Sequence, residues 1–162
     1  MEEFQDRDME KLECKNFVEF REQEGKDLPV GDWITVTQKM INAFAEATLD
    51  FQWIHVDEEK ARKYSPFKAP VAHGFMSVSL LSKMLGDVME VQSVQMGVNY
   101  GLNKVRFPHP VIVDSKLRLR GKIAHIEDYG DNGLKITCNC TVEIQGIEKP
   151  ACVAEFVSLM FE

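Results

Sequence analysis

The sequence predicts an α+β domain in which an antiparallel sheet wraps around one buried helix. Helical patterns occupy the first part of the chain, and from about residue 93 onward the sequence alternates like β structure. Between these parts, from Val71 to about Met89, the residues are almost continuously apolar or small. Such a stretch is typical of a helix that is buried on most of its surface. A sheet that covers this helix is the simplest way to bury all of these faces together.

Composition indicates one main domain behind a polar leader. The chain has 162 residues, of which 44% are hydrophobic and 28% are charged, as is ordinary for a globular protein. We predict a leader with a short helix over residues 1–30 and the main domain over residues 31–162. The acidic amino terminus is unlike a secretory signal, and no run of about 18 apolar residues is present. We therefore expect a cytoplasmic protein that does not act on membranes.

Charge and cysteine spacing exclude further classes. The net charge of −7 argues against nucleic acid as a partner, because phosphate backbones are bound by clustered cations. Cys138 and Cys140 lie two residues apart in an alternating stretch, so both would face the same side of a strand. The sequence has no second pair at a spacing suited to a metal site, so we expect no metal. The four cysteines, expected to be reduced and structural, are Cys14, Cys138, Cys140 and Cys152.

The helices are predicted from their caps and their apolar spacing. Thr37 is a good N-cap for a helix over residues 38–48 that carries apolar side chains along one side. Asp57 is suited to cap a second, shorter helix. Within residues 1–24 we expect a modest helix that stops at Gly25. Its possible anchors are Leu12, Phe17 and Phe20.

The strands are predicted from alternation between turn signals. A short strand over Trp33–Val36 precedes the helices. Pro108, Pro110, an Asp131-Asn-Gly133 turn and Gly146 divide the second half of the chain. The four antiparallel strands are expected over residues 93–106, 111–126, 133–146 and 150–161.

An acid and an imidazole, Asp50 and His55, follow the 38–48 helix at a spacing of five residues. On a straight helix five residues correspond to about 500° of rotation, so the two side chains would diverge. They converge only if the helix stops near Leu49 and the chain bends there. An Asp beside a His can orient the ring and share a bound water with it. The alternative is a helix-terminal acid next to a half-buried His with one satisfied nitrogen.

Gly74 stands at the start of the buried helix, where backbone N–H groups are unpaired and the dipole is positive. Such a terminus can stabilise a developing oxyanion, although the glycine could instead serve close packing against the sheet. His73 could line the same site or hold the turn through a hydrogen bond. Ser82 lies about two turns further along and could face a pocket or bond back to the carbonyl of Val78.

Aromatic and cationic side chains supply weaker candidates. Aromatic residues near the buried helix could line an acyl tunnel or belong to the core; they are Phe51, Trp53, Phe67 and Phe75. Cations that could contact phosphates, or form a solvated strand face, are Lys104, Arg106, His109, Arg118 and Arg120. His125 has no partner in the pattern and is expected to be structural. Neither a nucleophile elbow nor a dinucleotide or phosphate loop is present, so acid–base chemistry is what the chain offers.

Taken together, these motifs resemble the MaoC-like dehydratase and (R)-specific enoyl-CoA hydratase family of the hot-dog fold. The family's hydratase motif reads approximately F-A-x-x-S/T-x-D-x-N-P-L/I-H-x-D, followed downstream by H-G-M/F. The residues in register here are Phe44, Ala45, Thr48, Asp50, Ile54, His55, Asp57, His73, Gly74 and Phe75. The resemblance covers roughly residues 31–161, and the leader together with Gln52-Trp53 looks like the nodulation-protein-N-like branch.

The resemblance implies roles for these positions. Asp50 and His55 would be the catalytic pair, and the Gly74 amide would form the oxyanion hole. Ser82, Trp53, Phe75 and His73 would contact substrate. The family is typically dimeric, with two long helices side by side and the sheets joined, so a homodimer is expected. Gln52-Trp53 stands where the hydratase motif has Asn-Pro, a departure that bears on substrate range more than on reaction type.

The function expected from the sequence is reversible hydration of a trans-2-enoyl thioester, on coenzyme A or a carrier, without metal or other cofactor. A hot-dog thioesterase would use the acid to direct water at the carbonyl instead of at C3. A third hypothesis is a protein that binds acyl thioesters without turning them over.

Overall fold

The computed structural model describes residues 10–162 and is built on a five-stranded antiparallel sheet of order β2-β5-β6-β7-β4. A second, two-stranded ribbon joins β1 to β3. In chain order the elements are β1 (Leu12–Cys14), α1 (Phe17–Arg21), β2 (Ile34–Thr35), α2 (Gln38–Thr48), α3 (Trp53–Val56), α4 (Glu58–Tyr64), α5 (Gly74–Ser79), α6 (Leu81–Val88), β3 (Met89–Val91), β4 (Met96–Arg106), β5 (Lys116–Tyr129), β6 (Gly133–Ile144) and β7 (Ile147–Phe161).

The sheet curls around the two central helices, which confirms the predicted α+β architecture. One face of β5 and β6 carries the buried side chains, alternating with exposed or half-exposed ones along each strand. On the helix side, α6 buries its apolar stripe against this face. The buried α6 residues are Leu81, Met84, Leu85 and Val88. They share one hydrophobic cluster with the inward-facing side chains of β5, β6 and β7.

The central helix differs from its prediction in two ways. It begins at Gly74 and not at Val71, because Val71 forms a β-bridge with Ile112 and donates its N–H to the Ile54 carbonyl at 3.0 Å. It is also divided at Leu80, a helical residue that separates α5 from α6. The hydrogen bonds continue across the division, since Leu80 donates to Met76 and accepts from Met84. The pair therefore acts as one nearly continuous helical segment.

The long strand predicted over residues 111–126 begins later than expected. Residues 111–115 were predicted to lie in it, but β5 starts at Lys116. The Val113 N–H bonds to the Pro70 carbonyl at 2.9 Å and the Asp114 N–H to the Val36 carbonyl at 2.8 Å. These residues therefore tie the helical layer to the sheet and cannot extend the ladder. The remaining long strands match their predicted ranges within about three residues at each end.

Residues 10–30 contribute Cys14, Phe17, Phe20 and Leu28 to the same hydrophobic cluster as the main domain. The predicted helix is α1, with Phe17 and Phe20 buried beneath it, but it ends at Arg21 and not at Gly25. Leu12 instead belongs to β1, which pairs in parallel with β3 in a contact that the sequence pattern did not predict. The part of the predicted leader over residues 1–9 lies outside the described residues.

The predicted helix caps are confirmed. The Thr37 side chain accepts a hydrogen bond from the Met40 N–H at 3.3 Å, and α2 starts immediately after it. Asp57 caps α4 by accepting from the Lys60 N–H at 2.9 Å. Side-chain oxygens at these positions satisfy donors that the first helical turn leaves unpaired.

The cysteines are free and buried, in agreement with the predicted structural thiols. Burial raises the pKa of Cys138 to about 12 and that of Cys152 to about 11, so neither carries thiolate at neutral pH. Over residues 10–162, none of the helices combines the length and apolar character that crossing a membrane requires.

Candidate active site

The chain reverses immediately after α2, at the predicted position. Thr48 is the last helical residue, and Leu49 adopts a left-handed conformation with φ of 61°. A non-glycine residue in this region is uncommon and costs on the order of 1 kcal/mol. The bend turns Asp50 back toward α3, where its Oδ1 accepts the Gln52 N–H at 3.3 Å. The Asp50 side chain is 55% exposed.

His55 lies on α3 with only 7% of its surface exposed. Its Nδ1 is 2.6 Å from the carbonyl oxygen of Val71. Because a carbonyl can only accept, Nδ1 carries the hydrogen and donates it. In the neutral ring Nε2 then has a free lone pair. The local fold thus leaves one nitrogen of His55 available as a base.

The backbone of His55 is also held in place by Gln38, which was not among the predicted site residues. Gln38, the first residue of α2, donates from Nε2 to the His55 carbonyl at 2.8 Å and to Asn42 Oδ1 at 2.9 Å. This bond ties the start of α2 to the end of α3 across 17 residues. A glutamine in the first turn of a helix is commonplace, so no signal in a single sequence would have identified it.

His73 lies between the acid and the base and has 4% of its surface exposed. Its Nε2 is 2.9 Å from the backbone oxygen of Asp50 and 3.9 Å from that residue's Oδ2. Its ring stacks on the His55 ring with centroids 3.8 Å apart and planes at 24°. Phe44 also packs against the His73 ring, with the ring centroids 5.0 Å apart. Of the two roles predicted for His73, lining the site or holding the turn, the hydrogen bond to Asp50 supports the second.

Asp50, His55 and His73 therefore converge, and we call them the imidazole cluster. One polar atom from each lies within 4.8 Å of the other two. A two-histidine, one-carboxylate set is also a common metal-binding combination. Each ring already binds a backbone carbonyl through one nitrogen, so each has a single nitrogen left for a shared water or another ligand.

Electrostatics favour the neutral form of His55. Burial lowers the pKa of this imidazole below its ordinary 6.5, and the neighbouring His73 lowers it further. The hydrogen bond to the Val71 carbonyl and the charge of Asp50 act in the opposite direction, but burial prevails. At neutral pH the ring is therefore an unprotonated base next to a carboxylate.

Gly74 begins α5 and shares a cavity with His55. The cavity has a volume of about 290 Å³ and mostly apolar walls. A Cβ at residue 74 would lie 2.9 Å from Cδ2 of Phe107, so the ring leaves room for glycine alone without rearrangement. The N–H groups of the first helical turn have no acceptor within the helix. A substrate oxygen near the Gly74 amide would find an unspent donor and the positive end of the helix.

The cavity divides the predicted aromatic residues into two groups. Phe67 lines it, whereas Phe51, Trp53 and Phe75 do not. Trp53 instead lies beneath the ammonium group of Lys60, which is 5.0 Å from the ring centroid. Phe75 is 68% exposed and packs at 5.8 Å against Phe107. Lining residues that the sequence analysis missed include the buried Ser77, together with Phe107 and Val111.

Ser82 is not brought to this cavity by the fold of a single chain. Its hydroxyl donates to Asn99 Oδ1 at 3.1 Å, not to the carbonyl of Val78. It faces a separate groove of about 240 Å³ between α6 and the sheet. The apolar walls of that groove include Leu85, Met89, Phe156 and Leu159.

Of the predicted phosphate contacts, His109 alone lines the His55 cavity. Arg118 and Arg120 each donate to Glu143 at 2.6 Å, and we call these three residues the strand cluster. The Arg118 guanidinium also lies 4.3 Å from the ring centroid of Trp33. Burial alone would raise the pKa of Glu143, but the hydrogen bonds from the two arginines outweigh burial and lower it. Lys104 lines a groove on the outer sheet face, as does His125 in a neighbouring groove.

Comparison with known proteins places this site in a family. The profile described as "MaoC like domain" matches residues 19–143. The chain is 46% identical to the 3-hydroxyacyl-thioester dehydratase Z of Mycobacterium tuberculosis over 133 residues, which are 82% of this chain and 87% of that protein. It is 40% identical to Nodulation protein N of Rhizobium leguminosarum over 84% of this chain and 85% of that protein. The chain belongs to the MaoC-like domain family, as its motifs predicted.

Solved structures confirm the hot-dog fold. The unliganded R-hydratase PhaJ1 from Pseudomonas aeruginosa superposes with a TM-score of 0.69 at 20% identity, covering 91% of this chain and 86% of that one. A chain of the HadBC (3R-hydroxyacyl-ACP dehydratase) complex from M. tuberculosis gives a TM-score of 0.67 at 19% identity, covering 85% and 96%. Similarity at this level of identity concerns the fold.

Proposed function

We propose that this protein is an enzyme that interconverts trans-2-enoyl and (R)-3-hydroxyacyl thioesters by adding or removing water. The observation that carries the proposal is the convergence of the Asp50 carboxylate with the ring of His55, whose Nδ1 is bound to Val71 and whose Nε2 is left free. The relatives named as a dehydratase of 3-hydroxyacyl thioesters and as an R-hydratase support the same reaction class. Coenzyme A or a carrier protein would hold the acyl group.

In the hydration direction one water molecule bridges Asp50 and His55. The Nε2 lone pair accepts one proton of the water, while the water oxygen forms a bond to C3 of the conjugated substrate. The electron pair of the double bond moves toward the thioester, and C2 then takes a proton from the Asp50–His55 pair. Water is thereby added across C2 and C3, and the pair returns to its starting protonation state. Dehydration follows the same steps in reverse.

The Gly74 amide supplies the remaining stabilisation. As C3 is attacked, negative charge builds on the thioester oxygen, which becomes enolate-like. An N–H donor at the start of α5 that is already oriented toward this oxygen stabilises the transition state more than the ground state. The close contact between residue 74 and Phe107 supports this placement, because the glycine brings the backbone within reach of the cavity.

The active form that we propose is a homodimer joined through β4. Ten of the eleven residues of this strand are exposed in the single chain, and its pairing within the described residues is with β7 alone. A long exposed edge with free backbone donors and acceptors is ready to pair with another strand. A second copy on this edge would also cover the Ser82 groove, so that Ser82 and its apolar walls could receive the acyl chain. Sedimentation of the purified protein tests the dimer.

The test of the reaction is incubation of purified protein with crotonyl-CoA while the conjugated enoyl absorbance is followed. We expect the absorbance to fall to the hydration equilibrium and no free thiol to appear. Release of thiol from a saturated acyl-CoA would identify a thioesterase instead. Binding of the ester in a calorimeter without any turnover would identify a non-catalytic acyl-thioester protein.

A further inference from the structure

His73 is in contact with both members of the proposed catalytic pair, yet it does not line the cavity that His55 and Gly74 border. Its Nε2 bonds to the backbone of Asp50, and its ring covers the ring of His55. It is the residue immediately before Gly74, at the start of α5. A side chain placed in this way can act on the reaction through its neighbours.

The hydrogen bond of His73 shows which of its two nitrogens carries the hydrogen. The Asp50 carbonyl can only accept, so Nε2 of His73 carries the hydrogen and donates it across 2.9 Å. The other nitrogen, Nδ1, is buried and has no hydrogen-bond partner among the described residues. His73 is therefore bound to the Asp50 backbone as a hydrogen-bond donor.

Asp50 needs such a donor because little else holds it. It follows the left-handed Leu49, more than half of its side chain is exposed, and its carboxylate accepts one local N–H, from Gln52. The bond from His73 spans 23 residues and fastens this bend to the start of α5. Without it, the strained bend is free to relax and the carboxylate moves away from Nε2 of His55. A misplacement of about 1 Å at a reacting group can cost a hundredfold in rate.

We propose that His73 is a positioning residue for Asp50: its Nε2–H holds the Asp50 backbone so that the carboxylate and the His55 imidazole grip the same water. The inference rests on the proposed function of the Asp50–His55 pair. It replaces the substrate contact expected for His73 from the family resemblance. It also assigns a purpose to a buried histidine that does not line the cavity.

Two substitutions separate the hydrogen bond from the ring. In His73→Gln the amide nitrogen can take the place of Nε2 and keep the donor, although the stack on His55 is lost. In His73→Phe the aromatic packing stays and the donor is lost. With crotonyl-CoA we expect kcat of H73Q to stay within about tenfold of the wild type and kcat of H73F to fall about a hundredfold. KM should change little in either variant, since His73 does not touch substrate.

The matched control is Phe44→Leu, which loosens the packing on the His73 ring without removing a hydrogen bond, and should leave kcat within a few-fold. Melting temperatures of all variants show whether each has folded; if H73F does not fold, His73→Met supplies a more adaptable apolar side chain. Equal kcat in H73Q and H73F, whether both are high or both are low, overturns the proposal. A raised KM with unchanged kcat in H73F also overturns it.

A measurement independent of turnover separates this inference from the proposed function. Nitrogen-15 NMR of the imidazoles should show a hydrogen on Nε2 of His73 and on Nδ1 of His55 at neutral pH. If the wild type does not hydrate crotonyl-CoA, the proposed function fails, while this spectrum still decides the contact. A His73 ring without hydrogen on Nε2 would overturn the positioning role whatever the activity.

Discussion

The molecule contains two groups of ionisable side chains, the imidazole cluster and the strand cluster, and they are built in opposite ways. In the imidazole cluster, the two rings spend one nitrogen each on a backbone carbonyl, and the carboxylate is half exposed. In the strand cluster, two guanidinium groups both bind one carboxylate, and one of them also covers a tryptophan.

The difference shows which groups remain free to act on a substrate. Glu143 is held ionised because its charge is fully paired, so it has little left to offer a ligand. His55 is held neutral by burial, and no group within residues 10–162 uses the lone pair on its Nε2. Ionisable residues in a fold become reactive when their geometry leaves a donor or acceptor unspent. Side chains of opposite charge that pair with each other at the surface have no free group left for a substrate.

The largest effect should come from breaking the imidazole cluster itself. Asp50→Asn keeps the shape of the side chain but removes its negative charge, and His55→Ala removes the base. Each should lower kcat on crotonyl-CoA by about a hundredfold or more, the usual range for acid–base groups. The matched control is Glu143→Gln in the strand cluster, which should hydrate at the wild-type rate. Near-wild-type turnover in D50N or H55A would remove these residues from the mechanism.

A smaller effect is expected from Gly74→Ala. The new Cβ would lie 2.9 Å from the Phe107 ring, so either the ring or the start of α5 must move. We expect kcat to fall about tenfold and the free energy of unfolding to fall by about 1–3 kcal/mol, as for overpacked sites. Denaturant unfolding and crotonyl-CoA kinetics measure the two effects. Adding Phe107→Leu should restore stability; if the single variant is fully stable and active, the close approach has no role.

The pH dependence sharpens the contrast further. The pKa of His55 is lowered from 6.5, so the ring stays a base down to a lower pH than a free imidazole. The acid limb of kcat/KM for hydration should therefore have its midpoint below pH 6.5. The same shift makes folding stability fall as pH decreases through this region, because the unfolded chain binds the proton more readily. An acid limb centred above pH 6.5 would contradict a neutral, buried His55.

The smallest effect should come from the strand cluster. Arg120→Ala removes one of the two partners of Glu143, and the other partner stays in place. Since Arg120 is about half exposed, the loss of unfolding free energy should not exceed about 1 kcal/mol and should shrink in high salt. Crotonyl-CoA turnover should not change. A clear fall in activity would mean that this face of the sheet takes part in binding the thioester.

Much of the fold could be predicted because its signals are local. The caps at Thr37 and Asp57, the bend at Leu49 and the alternation of the long strands each depend on neighbouring residues. The parallel contact of β1 with β3 joins segments that lie more than 70 residues apart, and no local pattern encodes it. The prediction that the central helix starts at Val71 is wrong for the same reason, because Val71 forms a bridge with Ile112, which is distant in the sequence.

The site could be predicted in part. Asp50 and His55 stand at a spacing that allows them to converge only if the chain bends near Leu49, and the structure has that bend and brings them together. Gln38 was missed because its bond to the His55 backbone leaves no trace in the motif. Ser82 matched the motif but lies in another groove, because one chain does not determine what a second copy would cover. Spacing can identify candidate reacting groups, whereas the residues that hold those groups in place are determined by tertiary contacts.

The most direct test of the account is to run the reaction in water labelled with oxygen-18 and locate the label by mass spectrometry. If Asp50 and His55 direct one water molecule at C3, wild-type protein should place the label on the C3 hydroxyl of the acyl group. His55→Ala should incorporate the label about a hundredfold more slowly. Label found in a released carboxylate, or at C3 at equal rates in both proteins, would contradict the mechanism.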